Sequence, residues 1–398
     1  MAATNNAVLM RGRIHCFAAF TPAVRHPAAS RGRFTMNAFR LVLLVVLAST
    51  CASPVLAQRY SAARDGEIVT LTDRTSNIVV SILPSAGNVA FEMRVHGQNV
   101  LRFPHKTIAD FKAQPNATGI PFMGPWANRL DEQAFYANGK RYAFDMSLGN
   151  VRGNIPIHGF ITTTDQWQVT AMRANGASAW VTSRLEFARQ PMWIKQWPFA
   201  HTIEMTYRLA NGQLEVETAI TNASSEAMPV AVGFHPYFQL TDVPRDEWTI
   251  AIGARTQWKL DANKVPTGET IPIEELFPNP SSAPLREYSL DDVFSDLARD
   301  SMGRATMSVW GKTQRLDIVI VEGFRSVVVW APSPSGAGRG GQGPSPPAER
   351  NFICFEPMAG ITNAVNMAHR GTYRELQTIA PGATWRGRFW VRPSGFGK

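Results

Sequence analysis

The chain has 398 residues, 44% hydrophobic and 10% aromatic, enough apolar side chain for a large buried core in one big domain or two. Its formal charge of +9 is concentrated at the start: residues 1–57 carry six arginines and no acid, leaving 34 basic against 31 acidic residues, a net of +3. No long Lys/Arg run or basic helix follows, so a nucleic-acid partner is not expected.

The first segment reads as an address. Arg40 precedes the apolar run 41–48, and small residues follow up to Val55-Leu56-Ala57, which is signal-peptide grammar. The run is shorter than the roughly 20 residues of a membrane span. Residues 1–35 form an overlong basic leader, with Met36 as an alternative start. The expectation is cleavage after Ala57, export to the periplasm and no stable membrane span after processing. Cys51 raises a lipoprotein reading, but Ala48-Ser49-Thr50 fits a lipobox poorly. Of three cysteines only Cys354 then remains, so no intrachain disulfide forms and stability comes from the core. Residues 58–398 are expected to form a single domain.

From Glu67 onward the texture is all-β. Short apolar or alternating runs at 68–71, 78–82, 89–95, 167–170, 179–187, 202–209, 214–221, 249–252, 316–321, 326–330, 351–355 and 385–391 are separated by Gly, Pro, Asn or Ser. The clearest alternation is Leu214-Glu215-Val216-Glu217, one face dry and one wet. So many strands without a long 3.6-period helix predict a sandwich of large antiparallel sheets. No repeat of 20 to 50 residues suggests a propeller or solenoid.

Five places carry chemistry. Gly124-Pro125-Trp126-Ala127-Asn128-Arg129-Leu130 supplies adjacent donors in Asn128 and Arg129, the arginine as a planar fork suited to hydroxyl or carboxylate oxygens. In Ile155-Pro156-Ile157-His158-Gly159-Phe160, Gly159 permits close approach beside His158. Val230, Val232 and Phe234 alternate with Ala231 and Gly233 as the end of a half-buried strand. Pro236 is expected to stop that strand, leaving His235 at its mouth with the ring outward and Tyr237 and Phe238 as a wall for a sugar face. An isolated histidine is more often a core residue bonded to a carbonyl. Asp291 and Asp292, in Ser289-Leu290-Asp291-Asp292-Val293-Phe294, are expected to reach the same mouth from a loop. Lastly, period 2 places Phe352, Cys354 and Glu356 on one face of a strand closing on Pro357, where a carboxylate is costly unless paired or functional. Between the runs at 326–330 and 351–355, residues 331–350 are a Pro/Gly/Ser-rich insert that cannot pack a core.

Taken in order, Asn128-Arg129, His158-Gly159, Gly233-Phe234-His235-Pro236-Tyr237-Phe238, the Asp291/Asp292 run and Glu356-Pro357 resemble the aldose 1-epimerases, or galactose mutarotases, together with related hexose-phosphate epimerases. The likeness spans about residues 67 to 393. It implies a β-supersandwich with an open sugar-binding groove, His235 as general acid and Glu356 as general base. It further implies His158 assisting near the ring oxygen, and Asn128, Arg129, Pro236, Tyr237 and Asp291 as sugar contacts. Asp292 stays open as an alternative to Asp291. No cofactor or metal is implied; His158, His235 and Glu356 could ligate zinc, but no close-spaced metal motif supports it. The partner expected is a free hexose of the glucose or galactose type. A hexose 6-phosphate is the alternative substrate, and a non-catalytic carbohydrate-binding protein the alternative of another class.

Overall fold

The computed structural model describes residues 58–115, 118–147, 151–333 and 350–397. The leader at 1–57, including Met36, Cys51 and the Ala57 junction, lies outside them, as does the insert apart from residues 331–333 and 350.

Three antiparallel sheets make up most of the fold. The first is a five-stranded meander from Tyr60–Asp65 to Gln98–Asn99. The second has nine strands, with His201–Ala210, Gln213–Asn222, Thr384–Ser394 and Arg315–Glu322 adjacent at its centre. The third has eight, in which Leu290–Leu297, Ser326–Ala331 and Ile353–Met358 are neighbours and both Gly233–Phe234 and Tyr237–Phe238 pair with Ile353–Met358. The α-helices among the described residues are three of six residues each, Ile108–Ala113, Pro191–Gln196 and Ala364–His369. None is long and apolar enough to cross a membrane.

Alternation along the strands builds the core. Leu214 and Val216 are fully buried, while Glu215 faces outward and accepts a bond from Trp390 Nε1 at 2.8 Å. Phe234 projects from the eight-stranded sheet against Phe389 of the nine-stranded one, ring centroids 5.1 Å apart, in a core that also takes in Val327, Val329 and Phe355. Burying such a ring stabilises the fold by about 1.5–3 kcal/mol. On its other face the eight-stranded sheet is partly covered by Ala364 and Met367 of the last helix, together with Tyr373, over Val293, Val328 and Met358.

Asp73, fully buried, ties the five-stranded sheet to the nine-stranded one. It accepts two bonds from the Arg59 guanidinium, at 3.0 and 3.1 Å, and one from the Gly212 N–H at 3.2 Å. Burial pushes its carboxyl upward, but the bonds from Arg59 and Ser76 outweigh that and hold it below the usual carboxylate range.

Three local expectations are corrected. Residues 228–238 are short strands with a break, buried almost throughout, because neighbours cover both faces. Pro357 does not end its strand, which runs to Met358. Met358 accepts from the Arg325 N–H on one side, so the missing Pro357 N–H falls on the other, where the ladder to Gly233–Phe234 is interrupted and costs little. Asp291 and Asp292 lie on the Leu290–Leu297 strand, not on a loop.

Candidate active site

One register organises the site. Gly233 pairs with Met358, Tyr237 with Cys354 and Phe238 with Ile353, so the same alignment holds across the break and sets His235 opposite Glu356. His235 Nε2 lies 3.1 Å from Glu356 Oε1, with His235 8% and Glu356 1% exposed. The break itself is bonded elsewhere: His235 N–H donates to Pro121 O and Tyr237 N–H to Gly119 O. His235 therefore points into a cleft rather than out from a strand mouth.

Pairing extends that face across the sheet. Asp291, Trp330, Cys354 and Tyr237 are successive partners on four strands; one row further come Val293, Val328, Glu356 and, by the register, His235. The His235 ring stacks on Tyr237 at 4.6 Å and meets Trp330 edge-on at 5.6 Å. Phe238 alternates to the opposite face, in the main core against Phe355, so it is no part of a sugar wall. Pro236 is buried and does not line the cleft.

A second unit brings the donors. The segment 124–130 pairs with 156–160 through the Arg129/Ile157 and Gly124/Gly159 bridges, and His158 N–H donates to Asn128 O at 2.8 Å. Asn128 and His158 both hold left-handed backbone, φ 55° and 60°. For a histidine that is uncommon and costly, and such outliers gather at functional sites. Gly159, at φ +63°, is required there: a Cβ would come within 2.0 Å of Gly124 O. Arg129 donates to Asn128 Oδ1 at 2.8 Å and to Asp291 Oδ2 at 3.2 Å, all but buried. The His158 ring stands 5.2 Å from that of His235, nearly perpendicular.

These residues line a cleft of about 470 Å³, in the range of small-molecule sites. Asn128, Arg129, His158, His235, Tyr237, Asp291 and Glu356 all border it. Asp292 does not; alternation turns it the other way, where it accepts from Gln257 Nε2 at 3.0 Å and burial pushes its carboxyl up. Trp330, Phe111, Thr162, Thr163 and Arg152 are among the other lining residues, and apart from Trp330 no sequence pattern marks them as site residues. Trp330 does carry a signal, a large aromatic closing a strand beside the insert, but the same pattern fits a core residue.

The arrangement matches one family along most of the chain. Residues 69–392 fit the family model for aldose 1-epimerase. The chain belongs to the aldose 1-epimerase family. Among solved structures it is similar to a galactose mutarotase-like protein from Clostridium acetobutylicum, at 22% identity and TM-score 0.72 over 85% of this chain and 98% of that one. It is also similar to an aldose epimerase homologue from C. elegans, at 19% identity and TM-score 0.62 over 80% and 96%. A third is galactose 1-epimerase from Lactobacillus acidophilus, at 13% identity and TM-score 0.63 over 84% and 98%. At these identities the likeness establishes the galactose mutarotase-like fold.

Proposed function

We propose that this member of the aldose 1-epimerase family interconverts the α and β anomers of a free hexose. The observation that carries the reading is the His235–Glu356 pair, 3.1 Å apart, bordering a cleft also lined by Asn128, Arg129, His158 and Tyr237, groups able to hydrogen-bond sugar hydroxyls. Anomerisation needs one base and one acid. Glu356 takes the proton of the anomeric hydroxyl while protonated His235 gives one to the ring oxygen. The C1–O5 bond breaks to the aldehyde, C1–C2 rotates, and reclosure returns both protons. Each positioned acid or base contributes on the order of 10² to 10⁴ in rate. His158 assists near the ring oxygen, Arg129, fixed by Asp291, holds hydroxyls with Asn128, and Tyr237 offers its ring to an apolar sugar face.

Charge favours a free sugar over a sugar phosphate. Arg129 is already matched by Asp291, and among the described residues the other arginine bordering the cleft is Arg152, on exposed chain. Export, read from residues 41–57, points the same way, since sugar phosphates belong to the cytosol; N-terminal sequencing of the native protein at Gln58 checks it. The function itself is tested by polarimetry on freshly dissolved α-D-glucose and α-D-galactose. Accelerated decay to equilibrium supports it, and faster turnover of glucose 6-phosphate would select the phosphate reading. Bound sugar without acceleration would leave a binding protein.

A further inference from the structure

Beside the acid and base lies a third ligating group that anomerisation does not use. Cys354 is fully buried two residues before Glu356 on the same strand, so period 2 sets its thiol on the same face as the carboxylate. Its cross-strand partner is Tyr237, which follows His235 by two residues on that face. One ligating atom each from His235, Cys354 and Glu356 can be chosen so that all lie within 4.8 Å of one another. Among the described residues the trio placed to hold a metal therefore contains Cys354, in place of the His158 that could have ligated zinc with His235 and Glu356 but that no close-spaced motif supports.

We propose that His235, Cys354 and Glu356 form a site for a thiophilic divalent cation such as Zn²⁺, and that filling it shuts the sugar site. Imidazole, thiolate and carboxylate are a zinc donor set, and three protein ligands with a fourth position open is its usual arrangement in accessible sites. Ligands at about 2.0–2.3 Å from zinc stand about 3.5 Å from one another, so the widest separation must close by about 1 Å while the His235–Glu356 contact, at 3.1 Å, opens slightly, both within reach of small side-chain rotations. The cleft bordered by His235 and Glu356 supplies the entry path and the open position. Hard oxygen-seeking ions such as Mg²⁺ gain nothing from the thiolate and are excluded. Metal on the His235 nitrogen occupies the lone pair that must carry the proton, and metal on Glu356 removes the base. This inhibitory half rests on the anomerase reading above; the metal site does not.

The test uses the full chain, Co²⁺ as a spectroscopic probe and Zn²⁺ for affinity. Co²⁺ is expected to give a thiolate-to-cobalt charge-transfer band at one equivalent, displaced by Zn²⁺ and absent in Cys354→Ser. Cys16 and Cys51 remain in that variant, so loss of the band assigns it to Cys354. Chelator competition should show Zn²⁺ bound at least about tenfold more weakly by Cys354→Ser, since a thiolate ligand is gone. Zn²⁺ should inhibit wild-type anomerisation in competition with sugar, reversibly on chelation, and Cys354→Ser should keep metal-free activity while resisting Zn²⁺. Cys354→Ala serves the same reading if the serine variant does not fold. No charge-transfer band at saturating Co²⁺, or undiminished Zn²⁺ affinity in both variants, overturns the site. Band and affinity are read without turnover, so they support or overturn the metal site even in a chain inactive on sugars.

Discussion

His235 and Glu356 face each other because one register runs unbroken from the Gly233–Met358 pair to the Phe238–Ile353 pair, although the strand carrying His235 is interrupted. Their 3.1 Å contact is thus fixed by the sheet and not by a mobile loop. Glu356→Gln and His235→Asn keep approximate shape while removing proton transfer. Each is expected to lower anomerisation by about 10² or more with the circular dichroism retained, and the double variant to lose far less than the product of the two. Near-full activity in either folded single variant would remove that residue from the mechanism.

Asp291 and Asp292 are neighbours with opposite fates. Asp291→Asn releases Arg129, the fork bordering the cleft, and is expected to cut kcat/KM by about ten- to a hundredfold, the worth of a charge-assisted bond. Asp292→Asn touches Gln257 away from the cleft and should leave kcat/KM within about threefold. Steady-state kinetics on both variants decides; equal losses would mean that the strand's facing is not what the register indicates.

How much of this is legible in the sequence depends on range along the chain. Period 2 in 351–358 puts Phe352, Cys354 and Glu356 together, and the fold keeps them so, because alternation is local. Which strand lies opposite is not local: His235 meets Glu356 only through a pairing between distant segments. Asp291 against Asp292 is undecidable from sequence for a similar reason. Two acids have low strand preference, the run reads as a loop, and without a strand there is no alternation to choose between them. Trp330 is legible as a strand residue, yet its place in the cleft follows from being sandwiched between Asp291 and Cys354 in one cross-strand row.

Gly159 holds the donor loop against the segment of His158. Gly159→Ala places a Cβ within 2.0 Å of Gly124 O, with left-handed backbone besides, so the two segments must part. A loss of about 3 kcal/mol or more and a collapse of activity are expected, against about 1 kcal/mol for Gly139→Ala, which shares a positive φ but has nothing within 4 Å. Thermal melts of the pair measure the difference, and similar melting temperatures would show that the loop yields without cost.

His201 makes the fold sensitive to acid. Its ring is buried against Phe187, centroids 4.1 Å apart, with Nδ1 2.7 Å from Phe199 O. Burial pulls its pKa down to about 4, the bond to Phe199 only partly opposing it. Between that value and the ordinary ~6.5 the unfolded chain binds the extra proton, so stability rises with pH there. The contribution is complete above ~6.5 and is lost as pH falls toward 4, about 3 kcal/mol in all. Asp73, held below its ordinary value, yields its share only at still lower pH. Asp292, pushed above its ordinary value, acts in the opposite sense, gaining stability as it protonates, but it is common to wild type and variant and cancels between them. His201→Gln removes the titration while keeping a donor for Phe199 O. It should be less stable at pH 7 but lose about 2–3 kcal/mol less than wild type between pH 7 and 4.5 in urea unfolding. Parallel losses in the two proteins would place the acid sensitivity in other groups.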